Sequence, residues 1–161
     1  MPLKSIAYFI SSHGFGHAAR SAAVMQAIAE YDPSIQFEIF TAVPAWFFQD
    51  SLSAPFNYHH LLTDFGLAQK TPFESDLGDT LRNLNAFYPI TQPRLAEISE
   101  TIRQFDCRLI ICDIAPMGLL VATGGAFLIL FFYRLLGGYW FAEGETSLHR
   151  HTRRVRRASR R

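Results

Sequence analysis

The stretch AYFISSHGFGHAARSAAVMQAIAEY, residues Ala7–Tyr31, decides the fold. It joins an apolar run, a loop in which two histidines bracket two glycines, and an alanine-rich segment. We predict a strand over Ile6–Ser11, because a continuous apolar run is typical of a parallel strand buried on both faces. We predict a helix over Ala18–Tyr31, because alanine favours helices. The glycine loop therefore connects the end of a strand to the start of a helix.

Alternating strand and helix patterns continue along the chain. Strands are predicted over Ile35–Thr41, Phe56–Leu62, Arg108–Cys112 and Ala126–Tyr133, and helices over Pro44–Leu52, Asp76–Phe87, Pro89–Phe105 and Pro116–Ala122. Residues Thr63–Ser75 are predicted to be a loop because they contain Gly66, Pro72 and several polar side chains. This order predicts an α/β fold of the Rossmann-like kind, with a mostly parallel sheet flanked by helices.

Composition narrows the possible partners. Hydrophobic residues make up 49% of the 161 residues, which is enough for a packed core. Residues 149–161 hold seven arginines and no acid, which leaves eight basic residues against 14 acidic ones in the rest of the chain, a net charge of −6. The basic tail lacks interleaved aromatic side chains and follows an acidic body, so no specific nucleic-acid partner is expected. Cys107 and Cys112 fit neither a disulfide framework nor a zinc site, which favours a reducing, cytoplasmic compartment.

The residues numbered 114–133 allow a second interpretation. They contain no charged side chain and precede Arg134, so by length they suit a transmembrane helix with a positive flank. The protein would then be a membrane-anchored protein without enzymatic activity. Pro116 and the pair Gly124–Gly125 favour instead a buried helix, a turn and a strand. We prefer the α/β interpretation and keep membrane association as the alternative.

The glycine loop fits the pattern G-x-G-x-x-A with Gly14, Gly16 and Ala19. Glycines there allow a phosphate to approach the free N–H groups at the start of a helix. A dinucleotide site also needs an acid at the end of the second strand, where this chain has Thr41 and Ala42, and the Gly-Lys-Ser/Thr of a P-loop is missing. A Rossmann-type nucleotide binder is therefore the weaker alternative, and no cofactor is expected.

His13 and His17 are unusual in a simple turn. His17 falls in the first turn of the predicted helix, where the positive end of the helix dipole disfavours a protonated imidazole. A neutral imidazole in that position suits a general base. The plainer interpretation is that both histidines only bond to the backbone of the loop.

Other polar residues are weaker candidates. Asp113 follows the fourth predicted strand, so it either lies at the edge where α/β sheets bind ligands or caps the next helix. His59 and His60, with Asp64, are not expected to bind a metal, because adjacent side chains on a strand point to opposite faces. No metal site is predicted.

Three segments together resemble the N-terminal domain of GT-B glycosyltransferases. They are SHGFGHAAR at Ser12–Arg20, TLRNLNAFYPITQPRLAEI at Thr80–Ile98 and LIICDIAPMGLLVA at Leu109–Ala122. The chain resembles more closely the bacterial glycosyltransferase-like proteins and the N-terminal part of arabinokinase-type sugar kinases, over roughly residues 5–122. The resemblance implies one half of a GT-B fold, the acceptor-side domain of an enzyme that uses a nucleotide-sugar donor and an acceptor of unknown kind.

Residue roles follow from that resemblance by motif position. His17 would be the catalytic base or an orienting residue. The two glycines of the loop would shape the floor of the cleft near the diphosphate of the donor. The substrate-binding residues that the resemblance implies are His13, Gly14, Phe15, Gly16, Arg20 and Asp113.

The resemblance stops near Ala122. We therefore expect an acceptor-side domain over residues 1–122, a divergent apolar segment over 123–148 that is a last strand or out-of-frame sequence, and a disordered arginine-rich tail over 149–161. This division is typical of a truncated or frameshifted glycosyltransferase-like protein without its donor-binding half. Such a chain is not expected to catalyse transfer alone, because the leaving diphosphate would lack stabilising groups.

Overall fold

The computed structural model describes residues 4–124, 128–132 and 140–142. The elements of these residues are, in chain order, β1 Ser5–Ile10, α1 Phe15–Tyr31, β2 Gln36–Thr41, α2 Ala45–Ser51, β3 Phe56–His60, β4 Ala68–Thr71, β5 Glu74–Asp76, α3 Leu77–Phe87, α4 Gln92–Gln104, β6 Cys107–Asp113, α5 Pro116–Gly124, β7 Leu128–Phe132 and β8 Trp140–Ala142. Every predicted strand and helix is present, with ends shifted by a few residues. The predicted tail over 149–161 lies outside the described residues, as does most of the segment 123–148.

The main sheet of the described residues has the strand order β3-β2-β1-β6-β7-β8. Neighbouring strands pair in parallel across β3, β2, β1, β6 and β7, and β8 is antiparallel to β7. The chain builds outward from β1 to β3, then returns to place β6 on the free side of β1. The strand order therefore reverses between β1 and β6, and such a reversal opens a crevice at the carboxyl ends of the strands. The predicted Rossmann-like α/β fold with a mostly parallel sheet is confirmed.

Burial on both faces explains the apolar run of β1. All six of its residues are buried. Ile6, Tyr8 and Ile10 belong to the core on the side of α1 and α2, whereas Ala7 and Phe9 belong to the core on the side of α4 and α5. A central parallel strand covered by helices on both faces needs apolar residues at consecutive positions, not at alternate ones.

The predicted loop Thr63–Ser75 is wrong in part. The strands β4 and β5 form an antiparallel hairpin within it, with Pro72 and Phe73 in the turn. These strands are only four and three residues long, and most of their side chains are exposed. No alternation of apolar and polar residues marks them, because neither face of the hairpin is buried.

The start of α4 also differs from the prediction. The helix begins at Gln92 and not at Pro89. Pro93 explains the difference, because a proline ring collides with the carbonyl four residues earlier unless it lies in the first turn of a helix.

The interpretation of residues 114–133 as one transmembrane helix is wrong. The helix α5 ends at Gly124, and β7 follows as a strand parallel to β6. Within residues 4–124, 128–132 and 140–142, no helix combines the length and the apolar character that crossing a membrane requires. The lack of charge in α5 has another cause, since Met117, Val121 and Ala122 lie in the core.

Gly118 allows α5 to lie close to the sheet. A β-carbon at this position would collide with Cys112 Sγ and would lie 2.8 Å from Cγ of the Phe9 ring. Cys107 and Cys112 are both free and buried. Burial raises the pKa of the Cys107 thiol to about 12, so this thiol is protonated at neutral pH.

Replacing Gly118 by alanine is expected to lower the free energy of unfolding by about 1–3 kcal/mol, because the added methyl group overpacks the core. Gly124 in the same helix is the matched control, since a β-carbon there meets no atom within 4 Å. Urea denaturation of the two variants checks this expectation. An equal stability of Gly118→Ala and Gly124→Ala would contradict the close packing of α5.

Candidate functional site

A cluster of polar side chains lies at the carboxyl ends of β1 and β6. Asp113 is the last residue of β6 and is 1% exposed, and Ser11 directly follows β1 and is fully buried. The backbone N–H of Ser11 donates to the carbonyl oxygen of Asp113 at 3.1 Å, which joins the two strand ends. The cluster therefore occupies the crevice where the strand order reverses.

Three side chains of α1 converge on the carboxylate of Asp113. Arg20 binds it with two nitrogens: Nε donates to Oδ2 at 2.9 Å, and Nη2 donates to Oδ1. Ser21 Oγ donates to Oδ2 at 3.1 Å, and His17 Nδ1 lies 3.1 Å from Oδ1. Positions three and four residues apart share one face of a helix, so one carboxylate can hold all three side chains. Asp113 thus fixes α1 to β6.

The contact between His17 and Asp113, called here the first pair, sets which imidazole nitrogen faces outward. An ionised carboxylate only accepts hydrogen bonds, and it is the strongest acceptor near Nδ1. Arg20 Nη2 lies 3.2 Å from the same Nδ1, but it is closer to the Asp113 oxygen. We therefore infer that Nδ1 carries the proton and donates to Asp113. Nε2 then keeps its lone pair on a side chain that is 24% exposed, which is the arrangement of a general base.

Buried groups support the first pair from below. Tyr8 of β1 hydrogen-bonds to Ser21, and burial raises the pKa of its phenol, so Tyr8 is neutral. Ser21 in turn holds Asp113. This chain of neutral donors orients the carboxylate without removing its charge.

The backbone is strained on both sides of the cluster. Gly14 has φ 80° and ψ 161°, a conformation that is open in practice only to glycine. Ile114, directly after Asp113, has φ 49°, which is costly for a β-branched residue. Strain of this kind concentrates at binding and catalytic sites, because there the geometry of a side chain matters more than local stability.

A second pair, His13 with Asp64, lies beside the first. Asp64 is 6% exposed and belongs to the loop between β3 and β4. Its Oδ2 accepts from Ser11 Oγ at 2.7 Å and lies 3.3 Å from His13 Nε2. Thr63 Oγ1 donates to the carbonyl of Ile10 at 2.8 Å, which draws this loop over the end of β1. The hydrogen bond to Asp64 raises the pKa of His13, since the carboxylate favours the imidazolium.

Gly66 leaves room for the imidazole of His13. A β-carbon at residue 66 would lie 2.5–2.7 Å from Cε1, Nδ1 and Nε2 of that ring. The ring therefore packs against the backbone of Gly66, and any larger residue there would displace it.

The remaining predicted site residues lie apart from the carboxylates. Phe15 is half-exposed and contacts α2, with ring centroids 5.3 Å from Phe47 and 5.8 Å from Trp46. A β-carbon on Gly16 would meet no atom within 4 Å, so open space surrounds this turn of α1. The structure thus brings together His17, Arg20 and Asp113, and it places His13 next to them on Asp64.

Sequence reasoning missed Ser11, Ser21 and Asp64. Ser21 is four residues after His17, so the helix period alone could have placed it on the same face. Ser11 could have been found as the first polar residue after the apolar strand. Asp64 gave no such signal, because its partner Ser11 lies 53 residues earlier in the chain.

The histidines of β3 belong elsewhere. His59 Nε2 lies 2.7 Å from Oε2 of the fully buried Glu38, and Asn57 donates to Oε1 of the same glutamate at 2.8 Å. His60 is exposed. The grouping of His59, His60 and Asp64 is therefore not formed.

Comparisons with known proteins give a likeness at low identity. No family model and no curated protein matches the sequence. Among solved structures, a UGT transferase from Siraitia grosvenorii in complex with UDP is similar, with a TM-score of 0.49 and 10% identity over 80% of this chain and 27% of that one. Glycyrrhiza uralensis UGT73P12, complexed with glycyrrhetinic acid 3-O-monoglucuronide, gives a TM-score of 0.45 and 14% identity over 81% of this chain and 28% of that one. The chain thus spans about a quarter of the length of either structure.

Replacing Arg20 by methionine is expected to lower the free energy of unfolding by about 2 kcal/mol, because Asp113 loses charge-assisted hydrogen bonds while the aliphatic stem is kept. Arg82→Met is the matched control, since Arg82 pairs with Asp79 on the surface and exposed pairs contribute about 0–1 kcal/mol. Chemical denaturation measures both variants. Equal losses would contradict the structural role of Arg20.

The second pair predicts a pH dependence of stability. The pKa of His13 in the folded protein is raised above its ordinary 6.5, so its bond to Asp64 stabilises fully below that pH and is lost as the pH rises through the folded pKa. The difference in unfolding free energy between wild type and His13→Gln should therefore be largest below pH 6.5 and shrink as the pH rises through the folded-state pKa. A difference that stays constant as the pH rises above 6.5 would show that His13 is not paired.

Proposed function

We propose that residues 1–122 are the acceptor-side domain of a GT-B type glycosyltransferase, in which His17 is the base that activates an acceptor hydroxyl. One observation carries the proposal: the partly exposed imidazole of His17 is held by the buried carboxylate of Asp113 at the crevice where the strand order reverses. The three segments that resemble this family support it, because two of them contribute His17 and Asp113. A nucleotide sugar is the proposed donor.

The first pair can perform the acceptor half of glycosyl transfer. Nε2 of His17 takes the proton of the acceptor hydroxyl as its oxygen attacks the anomeric carbon of the donor sugar. The bond from that carbon to the diphosphate breaks, and the nucleoside diphosphate leaves with the electron pair. The positive charge that forms on the imidazole is stabilised by Asp113 through Nδ1–H, as in other histidine–carboxylate pairs. Arg20 and Ser21 position the carboxylate.

The leaving diphosphate needs separate stabilisation. Developing negative charge on a leaving group is best met by preorganised donors and cations. Arg20, the cation that binds the carboxylate of the first pair, has Nε and Nη2 directed to Asp113. The proposal therefore assigns this chain the acceptor side and leaves the donor to a second domain of GT-B type.

Binding of NAD by this chain is disfavoured by the surroundings of β2. The strand ends at Thr41, and its single acid, Glu38, is fully buried and bonded to His59 and Asn57. A ribose hydroxyl could not reach that carboxylate, and dinucleotide sites rely on an acid at the end of this strand.

Histidine-resolved NMR of the intact chain tests the proposal. We expect small alcohols, phenols or monosaccharides that bind to shift the ring signals of His17, because their hydroxyl hydrogen-bonds to Nε2. The variant His17→Gln should bind the same compounds about threefold to tenfold more weakly, which is the effect of losing one hydrogen bond. The variant His60→Gln, at an exposed position of β3, is the control.

Two results would count against the proposal. Hydroxyl compounds that bind without moving the His17 signals would remove the acceptor role. Tight binding of NAD or a free nucleotide by this chain alone would favour the nucleotide-binding alternative.

A further inference from the structure

The second pair, His13 with Asp64, has no role in the proton transfer proposed for His17. His13 is exposed, Asp64 is buried, and the two meet at 3.3 Å beside the first pair. Ser11 connects the pairs, because its backbone N–H bonds to the carbonyl of Asp113 and its hydroxyl bonds to the carboxylate of Asp64. A ligand that reaches His17 therefore also lies close to His13.

The two carboxylates differ in what they accept. Asp113 receives the guanidinium of Arg20, which offsets its negative charge before His17 is counted. Asp64 receives the hydroxyl group of Ser11, which carries no charge. The imidazole of His13 faces the Asp64 carboxylate, and their hydrogen bond raises the pKa of His13.

The orientation of His13 leaves one donor for a ligand. Nε2 is directed to Asp64, so Nδ1 lies on the other side of the ring. The face of the ring rests on Gly66, which prevents the side chain from turning into that space. With 42% of its side chain exposed, the imidazolium can present Nδ1–H to a group outside the protein.

We propose that Asp64 holds His13 as an imidazolium whose Nδ1–H binds an anionic oxygen, phosphoryl or carboxylate, of the ligand whose hydroxyl meets His17. The inference rests on the proposed function for the presence of that hydroxyl. It assigns the two histidines opposite roles: His17 accepts a proton in its neutral form, and His13 provides a positive charge. Asp64 and Gly66 are positioning residues for His13.

Other ionisable groups face the second pair and must be followed in any titration. These groups include the first pair, His17 with Asp113, and the guanidinium of Arg20 that binds Asp113. Tyr88 lies in the connection between α3 and α4. Burial raises the pKa of its phenol, and the negative charge of Asp64 raises it further. The phenol is neutral over the range in which His13 titrates, so it does not compete for the anion.

Histidine-resolved NMR of the intact chain with inorganic pyrophosphate, and separately with malonate, tests the proposal. The readout is the ring signal of His13, because the arginine-rich residues 149–161 also attract anions and would dominate a bulk binding measurement. We expect one of the two anions to shift the His13 signals, with an effect that fades as the pH rises through the titration of His13. The anion that acts identifies the phosphoryl or the carboxylate class.

Variants of the supporting residues sharpen the test. Asp64→Asn keeps the shape of the side chain but removes its charge. It should lower the affinity for the anion at His13 by about tenfold, which is the effect of one charge-assisted hydrogen bond. Gly66→Ala should give a similar loss, because it displaces the ring without removing a polar group. If Asp64→Asn does not fold, Gly66→Ala still decides the matter. His60→Gln is the control and should leave the His13 response unchanged.

The outcomes separate this inference from the proposed function. The inference would be overturned if neither anion shifted the His13 signals. It would also be overturned if the anions shifted these signals as strongly in Gly66→Ala as in the wild-type protein. If hydroxyl compounds still shift His17 in that case, the acceptor role stands and the second pair alone loses its assignment. An anion response at His13 without any hydroxyl response at His17 would support anion binding and remove the acceptor role.

Discussion

The carboxylate of Asp113 is the interaction on which the rest of the site depends. It ends β6, it is buried, and it collects Arg20, Ser21 and His17 from a single face of α1. A buried charge is costly unless it is paired and hydrogen-bonded, so the position of α1 against the sheet follows from this residue as much as from apolar packing. The same contacts direct His17 Nδ1 inward and Nε2 outward. Stability and chemistry at this crevice are therefore governed by one side chain.

The sheet topology explains why two histidine–carboxylate pairs occur together. The reversal of strand order at β1 leaves a crevice beside β6, and the loop after β3 crosses toward the same place, where Thr63 binds the carbonyl of Ile10. The first acid comes from a strand end and the second from that loop, and Ser11 contacts both. Arg20 binds the first acid, and the neutral hydroxyl group of Ser11 binds the second. We propose that such a site binds a hydroxyl and an anion of one ligand at different histidines.

Much of this arrangement could be predicted from the sequence. The apolar run before the glycine loop predicts β1, and the strand-end position of Asp113 predicts its place at the crevice, because both depend on local pattern and on the rules of parallel sheets. The position of Asp64 could not be predicted, since it depends on how a long loop crosses the sheet. The hairpin of β4 and β5 was missed because its exposed residues lack a periodic pattern. The lack of charge in 114–133 was ambiguous, because a buried helix and a buried strand need apolar residues as much as a membrane helix does.

The central claim is that His17 acts as a base through Nε2, and the tautomer of its imidazole tests this most directly. The ¹⁵N chemical shifts of the two ring nitrogens distinguish a protonated nitrogen from one with a free lone pair. The geometry around Asp113 predicts that the neutral form of the imidazole has its proton on Nδ1 and its lone pair on Nε2. It also predicts that replacing Asp113 by asparagine, which can donate as well as accept, weakens this preference. A proton on Nε2 in the wild-type protein, with Nδ1 accepting from Arg20, would contradict the account.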